Sequence, residues 1–414
     1  MQRFPCKPAR LSRRHFLSGV GGLGLARAVA GSVWGGAGGP TVTLPFANGS
    51  RELVTNYPQK GAMILQRTRP PLLETPFEVF DQGVFTPNDR FYVRWHLANI
   101  PTVVDPATFR LKIHGSVQTT LELTLDQLVR QFKPVQMAAV NQCSGNSRGF
   151  FQPRIAGGQW ANGAMGNALW TGVSLKDVLD RAGVKADATE VRFNGMDTGL
   201  LPQTPDFLKS LGIDHSRDGE VMIAYAMNGE PLPLLNGFPL RLVVPGWYAT
   251  YWVKMLEDIE VLDKSDDNFW MTRAYLIPDT PFADIVPGQQ GVKTVPINRM
   301  VPRSFFTNLQ DGATLKVGES KTVRGIAFGG DMGLAKVSFS PDGGATWQEA
   351  KLGPDRGKYS FRRWELPLHL STPGPRTLLI KAVNAAGVSQ PERANWNGGG
   401  FMRNVVESVS VQAT

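Results

Sequence analysis

Hydrophobic spacing divides the chain into stretches of different character. Over residues 31–88 the apolar positions follow no clear period and prolines interrupt them, so irregular structure is expected there. Leu125, Leu128, Val129 and Phe132 then recur at helical spacing behind Thr124, a residue able to cap the first turn. Leu175, Val178, Leu179 and Ala182 repeat the pattern behind Ser174, and Asp177 completes a capping box with it. Strand-like runs lie at 91–97, 191–193 and 240–244.

Beyond about Pro287 helical spacing disappears. Alternation at 322–328 and 335–339 marks half-buried strands, and Pro341-Asp342-Gly343-Gly344 is a hairpin turn leading into Thr346-Trp347. Further strands are expected at 377–383 and 405–411. The predicted architecture is α+β: an N-terminal extension over 31–86, a mixed α/β domain over 87–287, and an immunoglobulin-like β-sandwich over 288–414.

Composition agrees with this division. A chain of 414 residues exceeds one ordinary core, and 42% hydrophobic with 19% charged residues is globular rather than disordered. The net charge of +9 invites a nucleic-acid reading until its location is examined. Arg3, Lys7, Arg10, Arg13, Arg14 and Arg27 fall within residues 1–30, which hold no Asp or Glu. The remainder has 38 basic residues (44 minus 6) against 35 acidic ones, so nucleic acid is not an expected partner.

That basic segment has a signature of its own. Ser12-Arg13-Arg14-His15-Phe16-Leu17 precedes a short, small and apolar run, and Ala28-Val29-Ala30 offers a cleavage site. Residues 1–30 read as a twin-arginine signal peptide for export of a folded protein to the periplasm. The apolar run is shorter than the ~20 residues that cross a bilayer, so no span is expected in the mature form. Folded export points to a cofactor inserted before crossing.

With Cys6 in the leader, Cys143 is the one remaining cysteine. It sits in Asn141-Gln142-Cys143-Ser144-Gly145-Asn146-Ser147-Arg148-Gly149, where small neighbours keep bulk from the sulfur and Arg148 brings positive charge. Such a thiolate is a nucleophile or a soft metal ligand, and core packing is the bland alternative. The five histidines (His15, His96, His114, His215, His369) form no cysteine-hydrolase signature, and the spacings of zinc or c-type haem sites are absent. A single protein thiolate suffices where the metal brings ligands of its own, as in a pterin dithiolene complex.

The motif resembles the sulfite oxidase family of mononuclear molybdenum enzymes. So do, in order, Phe91-Tyr92-Val93-Arg94-Trp95-His96, Trp160, Gly163-Ala164-Met165-Gly166-Asn167-Ala168 and Phe193-Asn194-Gly195-Met196-Asp197. Asn236-Gly237-Phe238-Pro239-Leu240-Arg241, Trp252-Val253-Lys254 and Ser340-Pro341-Asp342-Gly343-Gly344 follow. The resemblance implies a molybdopterin-binding domain with the sulfite oxidase fold, followed by a dimerisation-type domain. By it, Cys143 binds molybdenum. Tyr92, Val93, Arg94, Trp95 and His96 wrap the molybdopterin, with Asp197, Asn236, Arg241, Trp252, Val253 and Lys254 as further contacts. Arg94, Arg148, Trp160 and Tyr275 line the anion pocket.

Several of these have rivals. Tyr248 and Tyr251 compete with Tyr275, Asp197 also suits a turn, and Trp160 and His96 also suit packing. Animal members carry His where this chain has Asn236, and a further pocket arginine has only Arg403 as a match. The implied reaction is oxidation of sulfite to sulfate with electrons passing to a c-type cytochrome, since no haem domain accompanies the motifs. The second domain would pair two copies, or a cytochrome subunit would take that place. The alternatives are a related enzyme acting on another sulfur compound, such as a sulfane sulfur dehydrogenase, and a non-catalytic exported binding protein.

Overall fold

The computed structural model describes residues 39–414; the leader-like segment lies outside them. Within residues 31–88, expected to be irregular, Thr41–Thr43, Ser50–Val54, Met63–Arg67 and Leu72–Glu74 instead form an antiparallel meander that Val93–Arg94 completes. Its strands are two to five residues long, too short to establish a visible period. For the same reason the strand expected over 91–97 shrinks to Val93–Arg94, and the residues around it run as loop.

Two further sheets build the next domain. One runs in the order Lys209–Gly212, Glu190–Gly195, Leu256–Leu262, Arg110–Gly115 and Leu121–Thr124, with the third and fourth strands parallel. The other runs Glu230–Pro231, Met222–Met227, Met165–Ser174 and Pro134–Gln142, with Arg241–Val243 also paired to Met222–Met227. Met222–Met227 is buried at every position, which explains its continuous apolar text in place of alternation.

The two predicted helices form as Leu125–Gln131 and Leu175–Ala182. Thr124 caps the first in a full capping box with Gln127. Ser174 makes no side-chain cap on the second. It is also the last residue of the strand Met165–Ser174, so the expected capping box with Asp177 does not form.

The C-terminal part is a two-sheet sandwich. Arg303–Phe306, Ser320–Phe328, Arg362–His369 and Lys351–Leu352 form one sheet. Ala313–Leu315, Glu407–Ala413, Gly374–Asn384, Leu334–Ser340 and Gln348–Glu349 form the other. Val323, Trp364, Leu366, Val337, Phe339, Leu378, Ile380 and Val409 fill the space between them.

The site depends on how the sandwich meets the second of the inner sheets. Pro134–Gln142 is the last strand of that sheet and runs directly into Cys143. Its open edge is engaged by the C-terminal part, where the Val140 amide donates to the Tyr359 carbonyl at 2.8 Å. Phe80, Val140, Met165 and Tyr248 share an apolar cluster with Met300, Phe305, Ile326, Phe328, Phe361 and Met402.

Arg303, fully buried, donates to the Arg403 carbonyl at 2.8 Å and to Ser147 Oγ at 3.3 Å, and pairs with Glu407 at 2.7 Å. Removing one partner of such a buried set costs roughly 3 kcal/mol. Arg303→Met is therefore expected to lower the melting temperature by several degrees and to loosen the Cys143 loop; an unchanged melting temperature would refute this account of the interface.

Candidate active site

The Cys143 loop is held from every side. The Cys143 amide donates to the Ala164 carbonyl at 2.9 Å, the Ala164 amide to Asn146 Oδ1 at 3.0 Å, and the Ser147 amide to the Ala161 carbonyl at 2.7 Å. From the C-terminal part, the Met402 amide donates to the Ser144 carbonyl at 2.9 Å. Gly145 has a steric reason to be glycine: a Cβ there would lie 2.5 Å from the Arg148 guanidinium. Ser147 adopts φ +69, a left-handed turn that the surrounding bonds sustain.

Cys143, buried and unpaired, faces a cleft with about 410 Å³ of empty space, its solvent mouth included. Tyr92, Arg94, His96, Asn236, Arg241, Lys254 and Tyr275 line the same cleft, so eight of the residues singled out in the sequence converge here. Asn141, Leu235, Ala249 and Thr250 also line it and were missed. Asn141 accepts from the Tyr92 hydroxyl at 2.7 Å, and its place two residues before the cysteine was the available signal. Thr250 lies 2.8 Å from Ser144 Oγ; nothing in its sequence context marked it.

The other predicted residues stand behind the wall. Trp95 lies under the Lys254 ammonium, 4.5 Å from Nζ to ring centre. Trp170 and Trp252 flank the Arg241 guanidinium at 4.9 and 5.6 Å. Val93 and Val253 are buried core residues, and Asp197 is buried in electrostatic contact with Lys254. Trp160 is buried, and its carbonyl accepts from the Gly149 amide.

Arg148 does not line the cleft. It curls back on its own loop, donating to the Gly158 and Gly399 carbonyls at 3.3 and 3.2 Å, with its guanidinium 5.3 Å from the Phe401 ring centre. Arg403 also lies off the cleft, over Phe150 and beside Glu407.

Of the three tyrosines, Tyr275 alone reaches the cleft. It sits at φ +57, and its hydroxyl is 2.5 Å from His96 Nε2. Its ring stacks on Phe401 at 5.2 Å and meets the Arg94 guanidinium at 5.9 Å. Burial raises the Tyr275 hydroxyl above its usual range, against the pull of Arg94. Burial, with Arg94 and Lys254 adding repulsion, holds His96 well below its ordinary value, so the imidazole is neutral at physiological pH.

Positive charge dominates the cleft. Arg94, Arg241 and Lys254 converge, and Asp197 is the carboxylate acting on Lys254. Burial draws the Lys254 ammonium down to about 7; Asp197 opposes this, while Arg241 and Arg94 reinforce it. Arg94 Nη1, Arg241 Nε, His96 Nδ1 and Asn141 Nδ2 are buried with no partner. Each such orphan costs about 1–3 kcal/mol, so the cleft is built to receive a polar, anionic group.

Residues 96–270 match the oxidoreductase molybdopterin binding domain, and residues 294–414 the Mo-co oxidoreductase dimerisation domain. Sulfite oxidase of Gallus gallus is 31% identical over 356 residues, covering 82% of this chain and 76% of that protein. The chain belongs to the sulfite oxidase family. Mitochondrial sulfite oxidase of Rattus norvegicus is 34% identical over 372 residues, and the chain spans 66% of its length. Sulfite oxidase of Arabidopsis thaliana is 28% identical and covered over 95% of its length. The sulfane dehydrogenase SoxCD from Paracoccus pantotrophus shares the fold, with a TM-score of 0.69 at 24% identity over 83% of this chain and 84% of that one.

The protein is thus a molybdenum oxidoreductase whose cofactor is Mo-molybdopterin. The cleft fits that group. The orphaned Arg241 Nε and Asn141 Nδ2, with the half-buried Lys254 ammonium, would hold its phosphate-bearing pterin, and the free Cys143 would bind the metal. An anion in the cleft favours the charged form of Lys254, which an empty cleft loses as pH rises through about 7. Pterin retention is therefore expected to be full below about pH 7 and to weaken as pH rises above it, and Lys254→Met should flatten the profile. A wild-type release rate independent of pH would contradict the charge argument.

Proposed function

We propose that this protein oxidises sulfite to sulfate and passes the two electrons to a c-type cytochrome. The observation that carries the reading is the unpaired Arg94 guanidinium in the Cys143 cleft, 5.9 Å from the Tyr275 ring centre. When bound, the molybdenum–pterin supplies the two-electron and oxygen-transfer chemistry. Sulfite and water then yield sulfate, two protons and two electrons.

The chain's own groups bind, orient and shield the substrate. Arg94 offers its free Nη1 to the substrate oxyanion. Tyr275 Oη orients the same anion and, through neutral His96 Nε2 at 2.5 Å, offers a departing proton a path. His96, Phe207, Trp270, Tyr275 and Phe401 form a continuous aromatic wall that limits water.

The twin-arginine leader supports a periplasmic location, where c-type cytochromes are available. The dimerisation domain supports pairing with a second copy or a cytochrome subunit. Among the described residues, no helix is long and apolar enough to cross a membrane.

Sulfite-dependent reduction of cytochrome c by the purified, molybdenum-loaded protein is the test. Cys143→Ser should abolish it. Loss of the Arg94 contact removes about 2–3 kcal/mol of charge-assisted binding, so Arg94→Met should raise KM for sulfite about 100-fold. Loaded protein that oxidises a sulfane sulfur compound and ignores sulfite would overturn the substrate assignment.

A further inference from the structure

Lys60 lies on the turn between the strands Ser50–Val54 and Met63–Arg67, well before the matched molybdopterin domain begins at residue 96. Nothing in its sequence context marks it. Yet it is 7% exposed, and each of its three ammonium protons has an acceptor. These are the Asn88 carbonyl at 2.8 Å, the Phe91 carbonyl at 2.9 Å and Asn236 Oδ1 at 2.5 Å. An ammonium has three donors, so Lys60 has none left for a ligand.

Its acceptors all belong to the walls of the cleft. Residues 88–91 lead into Tyr92 and Arg94, and Asn236 ends the short turn Leu234–Asn236 that also carries Leu235. Asn236 passes the connection on. Its Nδ2 donates to the Tyr92 carbonyl at 3.1 Å, and its carbonyl accepts from Arg241 Nη1 at 2.9 Å. The neighbouring Gln59 Oε1 accepts from the Leu234 amide at 2.8 Å, and the Gly61 amide donates to the Asp89 carbonyl at 3.0 Å. The turn is thereby stitched to both walls at once.

A buried ammonium away from the cleft surface is costly unless its bonds serve something. Burial draws Lys60 down to about 7, with Arg241 adding repulsion and Asp89 opposing it. Without Lys60 the Asn236 side-chain oxygen would be left without a donor in the interior, and the turn that carries it would lose its tie to residues 88–91.

We propose that Lys60 is a positioning residue of the pterin cleft, acting through Asn236 to fix Tyr92 and Arg241 where the cofactor is held. This rests on the cofactor assignment and is independent of sulfite being the substrate.

A double-mutant cycle tests it, with pterin retention as the readout, followed by fluorescence of the released and oxidised pterin. Outer partners of a cofactor site typically change retention by about 10-fold or more. Lys60→Met and Asn236→Ala should each speed pterin release by about that factor, and the double variant should release it no faster than the worse single variant. Release from Lys60→Met at the wild-type rate would overturn the proposal, as would effects that multiply in the double variant. Should Lys60→Met not fold, the same cycle with Lys60→Leu, which also leaves Asn236 Oδ1 without its donor, gives the same reading. Neither outcome depends on turnover, so failure here would leave the substrate assignment untouched.

Discussion

An excess of buried and half-buried positive charge is the constraint around which the protein is arranged. Arg94, Arg241 and Lys254 face one cleft, Lys60 stands just behind it, and the carboxylate opposing Lys254 is Asp197. Such a group of cations is unfavourable in a protein interior unless an anion completes it. The indole faces beneath Arg241 and Lys254 and the carbonyls around Lys60 relieve part of that cost. The unpaired nitrogens on the cleft wall mark what remains for the molybdenum–pterin and an anionic substrate to satisfy.

The second constraint is the placing of Cys143. A thiolate that must meet a metal cannot sit on a floppy loop, and this loop is fixed by two parts of the fold. The inner sheet delivers it at the end of Pro134–Gln142, and residues of the sandwich clamp it through Met402, Gly399 and Arg303. The sandwich therefore has a structural role within the chain. Phe401 shows the economy of this arrangement, touching Tyr275 on one side and the Arg148 guanidinium on the other.

Much of this was legible in the sequence. The two helices announced themselves by spacing, and the sandwich by alternation and its hairpin turn. The ordered motifs mark Tyr92, Arg94, His96, Cys143, Asn236, Arg241, Lys254 and Tyr275, and these meet in one cleft. What the sequence hid has a common physical cause. The strands of the N-terminal meander are too short to show a period, so the segment carrying Lys60 read as irregular. Thr250 and Lys60 matter through partners far away in sequence, and a single chain carries no mark of such pairings. Arg148 matched its motif but is not among the residues lining the cleft, its guanidinium donating to the Gly158 and Gly399 carbonyls.

The central claim is that the Cys143 thiolate, at the focus of this cationic cleft, binds the molybdenum of the cofactor. X-ray absorption at the molybdenum edge counts the sulfur atoms around the metal directly, in wild-type protein and in Cys143→Ser. The account predicts one sulfur fewer in the variant, with pterin still bound by the cationic wall. An identical sulfur shell in the two proteins would contradict it.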